Sequence, residues 1–464
     1  MHRALKYDHY QYISIKAISK LASMKRFSVR EWLLYPAQKN VRKGFADGLG
    51  LPVTGMYSHR RFLLGCIIAS LGIFISATGG SWDISNHLLN KPETFFSAPH
   101  AMLYTGVGSA MVGCIVMFRA YKSMHTSCHL IGTSAKLVIV GISMLITAGP
   151  VDFGWHSAFG LDGLLSPPHF VLLMGMIISS PGSLLGIIIL CTNCNNKLHN
   201  DNNNNAAASN LENVSVYKQP SSVSSGTSIL VRTSYIAIIL IIMGLMPVWM
   251  SLDGMISMFS LPFSKTQYFN FNPDPSYAAV FATVGYPFLL SLILISCFRL
   301  GENRFGVVSI AGSIYLAVTA ITAIIPNESL ISTLPFYIMN LVPLIAVDIL
   351  LSVFQHRYLF SISIGGAILG STFFMVQYPL ITYVYNEVVT KQAFVWPSLT
   401  SSVYFGMIGN IYPLLVIPGI AMGIIGAITA NRILSVILSS IRTHIPKNFI
   451  TQEQSSSSFY TDRN

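Results

Sequence analysis

Aspartate and histidine recur in this chain in one pattern, twice. Asp83, His87 and His100 form the first set, Asp152, His156 and His169 the second, and each member of the second lies 69 positions after its counterpart. The same offset relates Thr78, Gly80, Glu93, Ser97, Pro99, Leu103 and Gly106 to Thr147, Gly149, Asp162, Ser166, Pro168, Leu172 and Gly175. The shared core reads D-x3-H-x5-[D/E]-x3-S-x-P-H. One carboxylate and two imidazoles are a donor set for a transition metal. Three protein ligands also leave coordination positions open, as catalytic sites need and structural sites usually do not. Imidazole suits copper, zinc and iron alike, so the ligands alone do not choose the metal. A packing role alone would not require Asp, His and His in both copies.

The spacing states how the elements must present these groups. Asp83 and His87, like Asp152 and His156, are four apart, so on a helix they share one face a turn apart. The chain then turns. Ser97 and Ser166 are expected N-caps of a returning helix, with Pro99, Pro167 and Pro168 in its first turn. His100 and His169 follow on that turn and can face back toward the pair. Glu93 and Asp162 are a further matched acid position. They fit partners that orient a histidine, additional ligands, or solvated loop acids.

Composition supplies the setting. The 464 residues are 52% hydrophobic and 10% charged, with a mean hydropathy of +0.58. A soluble domain carries roughly a quarter charged residues, so the expectation is an all-α polytopic membrane helix bundle. About 20 apolar residues cross a bilayer. Ten candidate spans meet that length, near 62–82, 99–118, 135–151, 168–192, 233–251, 277–298, 305–325, 334–354, 358–377 and 409–430. Of the 28 Lys and Arg, only Lys91, Lys265 and Lys391 fall in loops after odd-numbered spans. The positive-inside rule therefore predicts a multi-pass protein of the cell membrane with both termini cytoplasmic and the motifs on the outward face. The net charge of +11 reads as topology and attraction to anionic lipid headgroups, not as nucleic-acid binding.

Five regions follow. Residues 1–61 carry twelve Lys and Arg and no signal-peptide pattern; 11–34 is expected to form an amphipathic helix at the bilayer surface. Residues 62–192 are a four-helix part holding both motifs as two parallel hairpins. Residues 193–232, rich in Asn and Ser, are expected to be a disordered cytoplasmic linker. Residues 233–430 form a six-helix half without the ligands, and 431–464 a cytoplasmic tail. No Cys lies in an outward loop, so no extracellular disulfide framework is implied. His125, Cys128 and His129 on one cytoplasmic loop, with Cys191, Cys194 and His199 on the next, are a candidate loading cluster for Cu(I) or zinc, or else unpaired thiols and exposed imidazoles. Asp348, deep in a later span, is a proton or ion site or a carboxylate bonded to a neighbouring helix. Gly366-x3-Gly370 and Gly419-x3-Gly423 suggest close helix packing.

D-x3-H-x12-H at the end of one span and the start of the next resembles the C subunit of the copper membrane monooxygenases, the particulate methane and ammonia monooxygenases, over roughly residues 62–192. The resemblance implies copper at Asp83, His87 and His100 and again at Asp152, His156 and His169. It further implies O2-dependent hydroxylation of a small molecule, with electrons from a quinol donor or partner membrane subunits. That family has Asn at the position of Asp152, and the six later helices have no counterpart in it. Two other functions fit the same ligands. One is a zinc-dependent membrane hydrolase with Glu93 or Asp162 as general base. The other is metal handling or transport without catalysis.

Overall fold

A computed structural model describes residues 53–88, 94, 96–124, 129–159, 166–211, 235–260, 275–377 and 407–443. At 53–57, 87–88, 192–211, 275–279, 329, 374–375, 407–414 and 442–443 the description is of the backbone alone. Two units divide at Thr54, and the fold below is that of Gly55–Asn464. The 11–34 segment lies outside the described residues.

Every regular element among the described residues is helical. In chain order they are α1 Val53–Leu88, α2 Ala98–Ser123, α3 His129–Phe159, α4 Pro167–Leu211, α5 Tyr235–Ser260, α6 Pro275–Leu300, α7 Val307–Ile324, α8 Leu334–Met339, α9 Leu341–Val353, α10 Tyr358–Thr372 and α11 Met407–Thr443. Nine stretches among the described residues are long and apolar enough to cross a membrane. The protein is a multi-pass integral membrane bundle. Large apolar side chains such as Val140, Ile239, Ile349 and Ile417 are exposed, as expected of a surface solvated by lipid rather than water.

Several boundaries differ from expectation, each for a local reason. The 334–354 span is broken at Asn340 into α8 and α9, preceded by a 3₁₀ turn, Glu328–Thr333. The Asn340 side-chain amide donates to the Phe336 carbonyl at 2.9 Å, competing with the backbone ladder. Pro343 has no N–H to offer the Met339 carbonyl. The 358–377 span is α10 followed by a wide π turn, Phe373–Gln377. Helix α4 runs on to Leu211, through the Asn-rich start of the expected linker. A long helix already nucleated extends at little cost per residue, and Ala206, Ala207 and Ala208 favour it. Helix α11 likewise continues past 430 to Thr443.

Each motif hairpin closes along a seam of small residues. On α1 these are Gly65, Gly72 and Gly79, seven apart; they meet Met117, Gly113, Ala110, Gly106 and Leu103 of α2. A Cβ at Gly65 would lie 2.7 Å from the Met117 backbone nitrogen, and one at Gly79 2.7 Å from that of Leu103. Only a bare backbone fits so close. In the second hairpin Gly141 of α3 meets Gly175 and Ser179 of α4. The same 69-residue offset carries Gly72, Gly106 and Ala110 onto those three positions.

The later helices pack directly on the first hairpin. Ser70 of α1 donates to the Met243 carbonyl of α5 at 3.4 Å, and Ser81 of α1 donates to Thr322 of α7 at 3.1 Å. Asp348 of α9 is completely buried. Its Oδ2 accepts from the Ser309 backbone N–H at 2.9 Å and the Ser309 hydroxyl at 2.8 Å. Ser309 sits in the first turn of α7, where backbone N–H groups have no partner within the helix. Asp348 therefore caps a neighbouring helix, and a carboxylate there is stabilised by the helix dipole. Gly366 and Gly370 of α10 lie against the backbones of Gly423 and Gly419 of α11, so the two spaced glycine pairs cross each other.

Candidate metal centre

Helix α1 extends to Leu88 and α3 to Phe159, so both Asp-x3-His pairs occupy the last turns of helices, as the spacing requires. Pro150 stands inside α3 two residues before Asp152. Lacking an N–H, it removes one hydrogen bond from the ladder just below that carboxylate. The returning helices start at Ala98 and Pro167. Ser97 occupies the N-cap position, and its side chain makes no cap hydrogen bond. This corrects the expected capping role. The buried hydroxyl oxygens of Ser97 and Ser166 both lack a hydrogen-bond partner among the described residues. The turns are held by the backbone instead: Ser97 and Ser166 carbonyls accept from Ala101 and Phe170, each at 2.9 Å.

In the second hairpin the three predicted ligands converge. Asp152 Oδ1 is 3.5 Å from His156 Nε2 and 3.2 Å from His169 Nε2. The two imidazole centroids are 5.4 Å apart and tilted by 49°. One ligand atom from each residue lies within 4.8 Å of the others. Among the described residues this is the one cluster of three such side chains. In the first hairpin Asp83 Oδ1 and His100 Nε2 are 2.9 Å apart. His87 lies in the last turn of α1, where the description is of the backbone alone. Glu93 and Asp162 lie outside the described residues.

Zinc-like bonds to N and O run about 2.0–2.2 Å, so adjacent ligand atoms sit about 2.9 Å apart at a right angle and about 3.4 Å apart at a tetrahedral angle. The observed separations of 2.9, 3.2 and 3.5 Å span that range. No hydrogen bond of normal geometry reaches Asp152 Oδ1, although two imidazole nitrogens stand beside it. The position of the proton on His100 follows from its neighbours. Its Nδ1 lies 2.9 Å from the Thr94 carbonyl, an acceptor, so Nδ1 carries the hydrogen. On a neutral ring Nε2 then presents a lone pair toward the Asp83 carboxylate. Two acceptors in contact call for a cation, either a proton or a metal. A ligating histidine commonly gives its other N–H to a backbone carbonyl in this way. The spacing of Asp152, His156 and His169 is one a divalent transition metal would fit.

Neither a family model, nor a curated protein, nor a solved structure is similar to this chain. The reading of the site rests on its own residues.

One neighbour escapes sequence reasoning. Tyr104, a turn after His100, has its ring 6.0 Å from that imidazole and feels the charges of both Asp83 and Asp152. Tyr104 thus lies within electrostatic reach of both carboxylates. Its counterpart by the 69-residue offset is Leu173, so the repeat itself gives no sign of it.

Of the candidate loading cluster, only His129 and Cys191 have described side chains. His125 and Cys128 lie outside the described residues, and Cys194 and His199 fall where α4 is described by backbone alone. His129 is exposed, with its ring 3.4 Å from Thr133 on its own helix. Cys191 is buried among apolar residues of the bundle.

Proposed function

We propose that this membrane protein holds a transition metal at its Asp–His–His clusters, that the metal is copper, and that it serves O2-dependent hydroxylation of a small molecule reaching the site through the bilayer. The observation that carries the metal reading is the convergence of Asp152, His156 and His169 from two helices onto one oxygen-centred point. Copper is favoured by the resemblance of D-x3-H-x12-H to the copper membrane monooxygenases and by its place at the top of the affinity order for N/O sites. Bound copper supplies one-electron exchange with O2.

The protein's own part is orientation and shielding. The carboxylate offsets cationic charge at a site where solvation by water is reduced. The Thr94 carbonyl fixes one tautomer and one ring plane for His100. Each cluster draws ligands from both helices of a hairpin whose backbones touch, so the ligand spacing is set by a rigid seam. Asp, His and His are all engaged as ligands, and none is left to act as acid or base. Electrons come from a quinol or a partner subunit. By the distribution of Lys and Arg, the clusters face away from the cytoplasm.

Metal analysis and oxygen uptake of the detergent-extracted full chain test this. The expected result is one or two coppers per chain, loss of one on His100→Ala or on His169→Ala, and oxygen consumption with a quinol donor. Unchanged stoichiometry in both variants refutes the ligand assignment. Zinc alone, retained from medium containing both metals and without oxygen uptake, replaces this reading with a hydrolase.

A further inference from the structure

The six-helix half carries a second polar constellation, separate from the clusters. Trp249, Asp253, Ser257 and Ser260 fall at successive three- or four-residue intervals along α5 and share one face of it. Asp253 Oδ1 accepts from the Tyr315 hydroxyl of α7 at 2.9 Å. Trp249 stacks flat on the Tyr315 ring, 4.1 Å between centroids and 3° between planes, which fixes the phenol toward the carboxylate. One turn and two turns further along α5, Ser257 and Ser260 lie 2.8 and 3.3 Å from the Tyr286 hydroxyl of α6. Tyr286 is itself buried against Phe373, in the π turn that follows α10. A small cavity opens beside Tyr315, lined by Trp249, Asn340, Thr372, Phe373 and Gln377.

Among the described residues no Lys, Arg or His pairs with Asp253. The titratable groups around it are Tyr315 on α7, with Tyr286 on α6 and Tyr337 on α8 close to Tyr315. On α4 the neighbouring side chain is the apolar Leu173, against Gly254; on α1 it is Thr78, which meets Met250. A carboxylate in a membrane span with no cation beside it is costly as an anion, and such a group takes up a proton instead. Asp348 is the contrasting case, held by two donors at the first turn of a helix.

We propose that Asp253 is the proton-binding group of the six-helix half, exchanging its proton along the hydroxyls of Ser257, Tyr286 and Ser260 toward the C-terminal end of α5. The step moves protons only. The acid form of Asp253 releases a proton to a bridging water, which spans the single turn of about 5–6 Å to Ser257. Each hydroxyl oxygen then accepts one proton and releases another toward Ser260, the last residue of α5. Tyr315 donates to the carboxylate and so steadies the anion left behind. A sodium site is the competing chemistry, but a hard cation needs about six converging oxygens. Here the oxygens are strung in pairs along a stripe.

Infrared difference spectroscopy on the reconstituted full chain, cycled between acidic and alkaline pH, tests this. The expected result is a carboxylic-acid C=O band that vanishes at alkaline pH, is lost in Asp253→Asn and is kept in Asp348→Asn. In Tyr315→Phe the band should move to higher frequency, since the acid loses a partner. In Tyr286→Phe the band should remain, with its exchange in D2O slowed at least ten-fold. If Asp253→Asn does not yield a folded monodisperse protein, Asp253→Glu serves: its band must shift from the wild-type position. A band unaltered in the Asp253 variant tested, a response to sodium at constant pH in place of pH, or wild-type exchange in Tyr286→Phe overturns the proposal.

Discussion

Gly79 and Gly80 are adjacent, chemically identical and sit four and three residues before Asp83, yet the same substitution should act on them in opposite directions. A Cβ at Gly79 would stand 2.7 Å from the Leu103 backbone nitrogen, where ordinary contact begins at 3.4 Å. The helices must therefore part by about 0.7 Å, a backbone movement of the kind that overpacking forces. Leu103 is one turn from His100, so the separation acts close to the pair Asp83–His100. If it is transmitted in full, their 2.9 Å contact opens to about 3.6 Å, beyond hydrogen-bond reach. Overpacking costs about 1–3 kcal/mol, and the gain of Ala over Gly in a helix returns about 1 kcal/mol. Gly79→Ala should thus destabilise by up to about 2 kcal/mol and weaken metal binding at the first cluster. A Cβ at Gly80 meets nothing nearer than the Leu103 methyl at 3.9 Å, so Gly80→Ala should stabilise by about 1 kcal/mol and leave binding alone. Denaturant titration in detergent and copper-binding isotherms of the His169→Ala background read both effects. Equal effects of the two substitutions on stability, or a weaker metal site in Gly80→Ala only, would refute the reasoning.

Three further outcomes are expected. Asp348→Ala strands the Ser309 N–H and hydroxyl without an acceptor and should cost about 3 kcal/mol, whereas Asp348→Asn keeps one acceptor oxygen and should cost less than half as much; equilibrium unfolding distinguishes them. Gly366→Leu forces a side chain into the Gly423 backbone and should lose monodisperse protein in size-exclusion chromatography, while Gly108→Leu, on an open face of α2, should not. A reporter fused after residue 90 or 160 should read as non-cytoplasmic, and a cytoplasmic reading at either would reverse the orientation of the clusters.

The helices were legible because a bilayer demands about 20 apolar residues in a row, and that demand marks composition over a long window. Ends and breaks were not, since they turn on single groups. Asn340 reads as one polar residue inside an apolar run until its side chain is seen on the Phe336 carbonyl. The grouping of Asp152, His156 and His169 was legible because their spacing is local: four residues along one helix, then a short turn. The Thr94 carbonyl that sets the tautomer of His100 is a backbone atom in a turn, and its counterpart position is Gly163, so repetition could not flag it. Asp253 and Tyr315 are 62 residues apart, and no period of helix or strand links them. The glycines at 65, 72 and 79 were visible, but their partners on α2 became apparent only from the packing.

Those glycines also decide how the hairpin can move. Contact recurs every second turn from Gly65 to Gly79 with backbone on backbone, so α1 and α2 have no compliant layer between them and behave as one beam. At the end remote from the ligands, Ser58 and Ser123 face each other across the same pair of helices at 2.8 Å. A beam has no private ends. If a cation loaded between Asp83 and His100 changed their spacing, a stiff pair of helices would carry that displacement toward the Ser58–Ser123 end, whereas a compliant interface would absorb it.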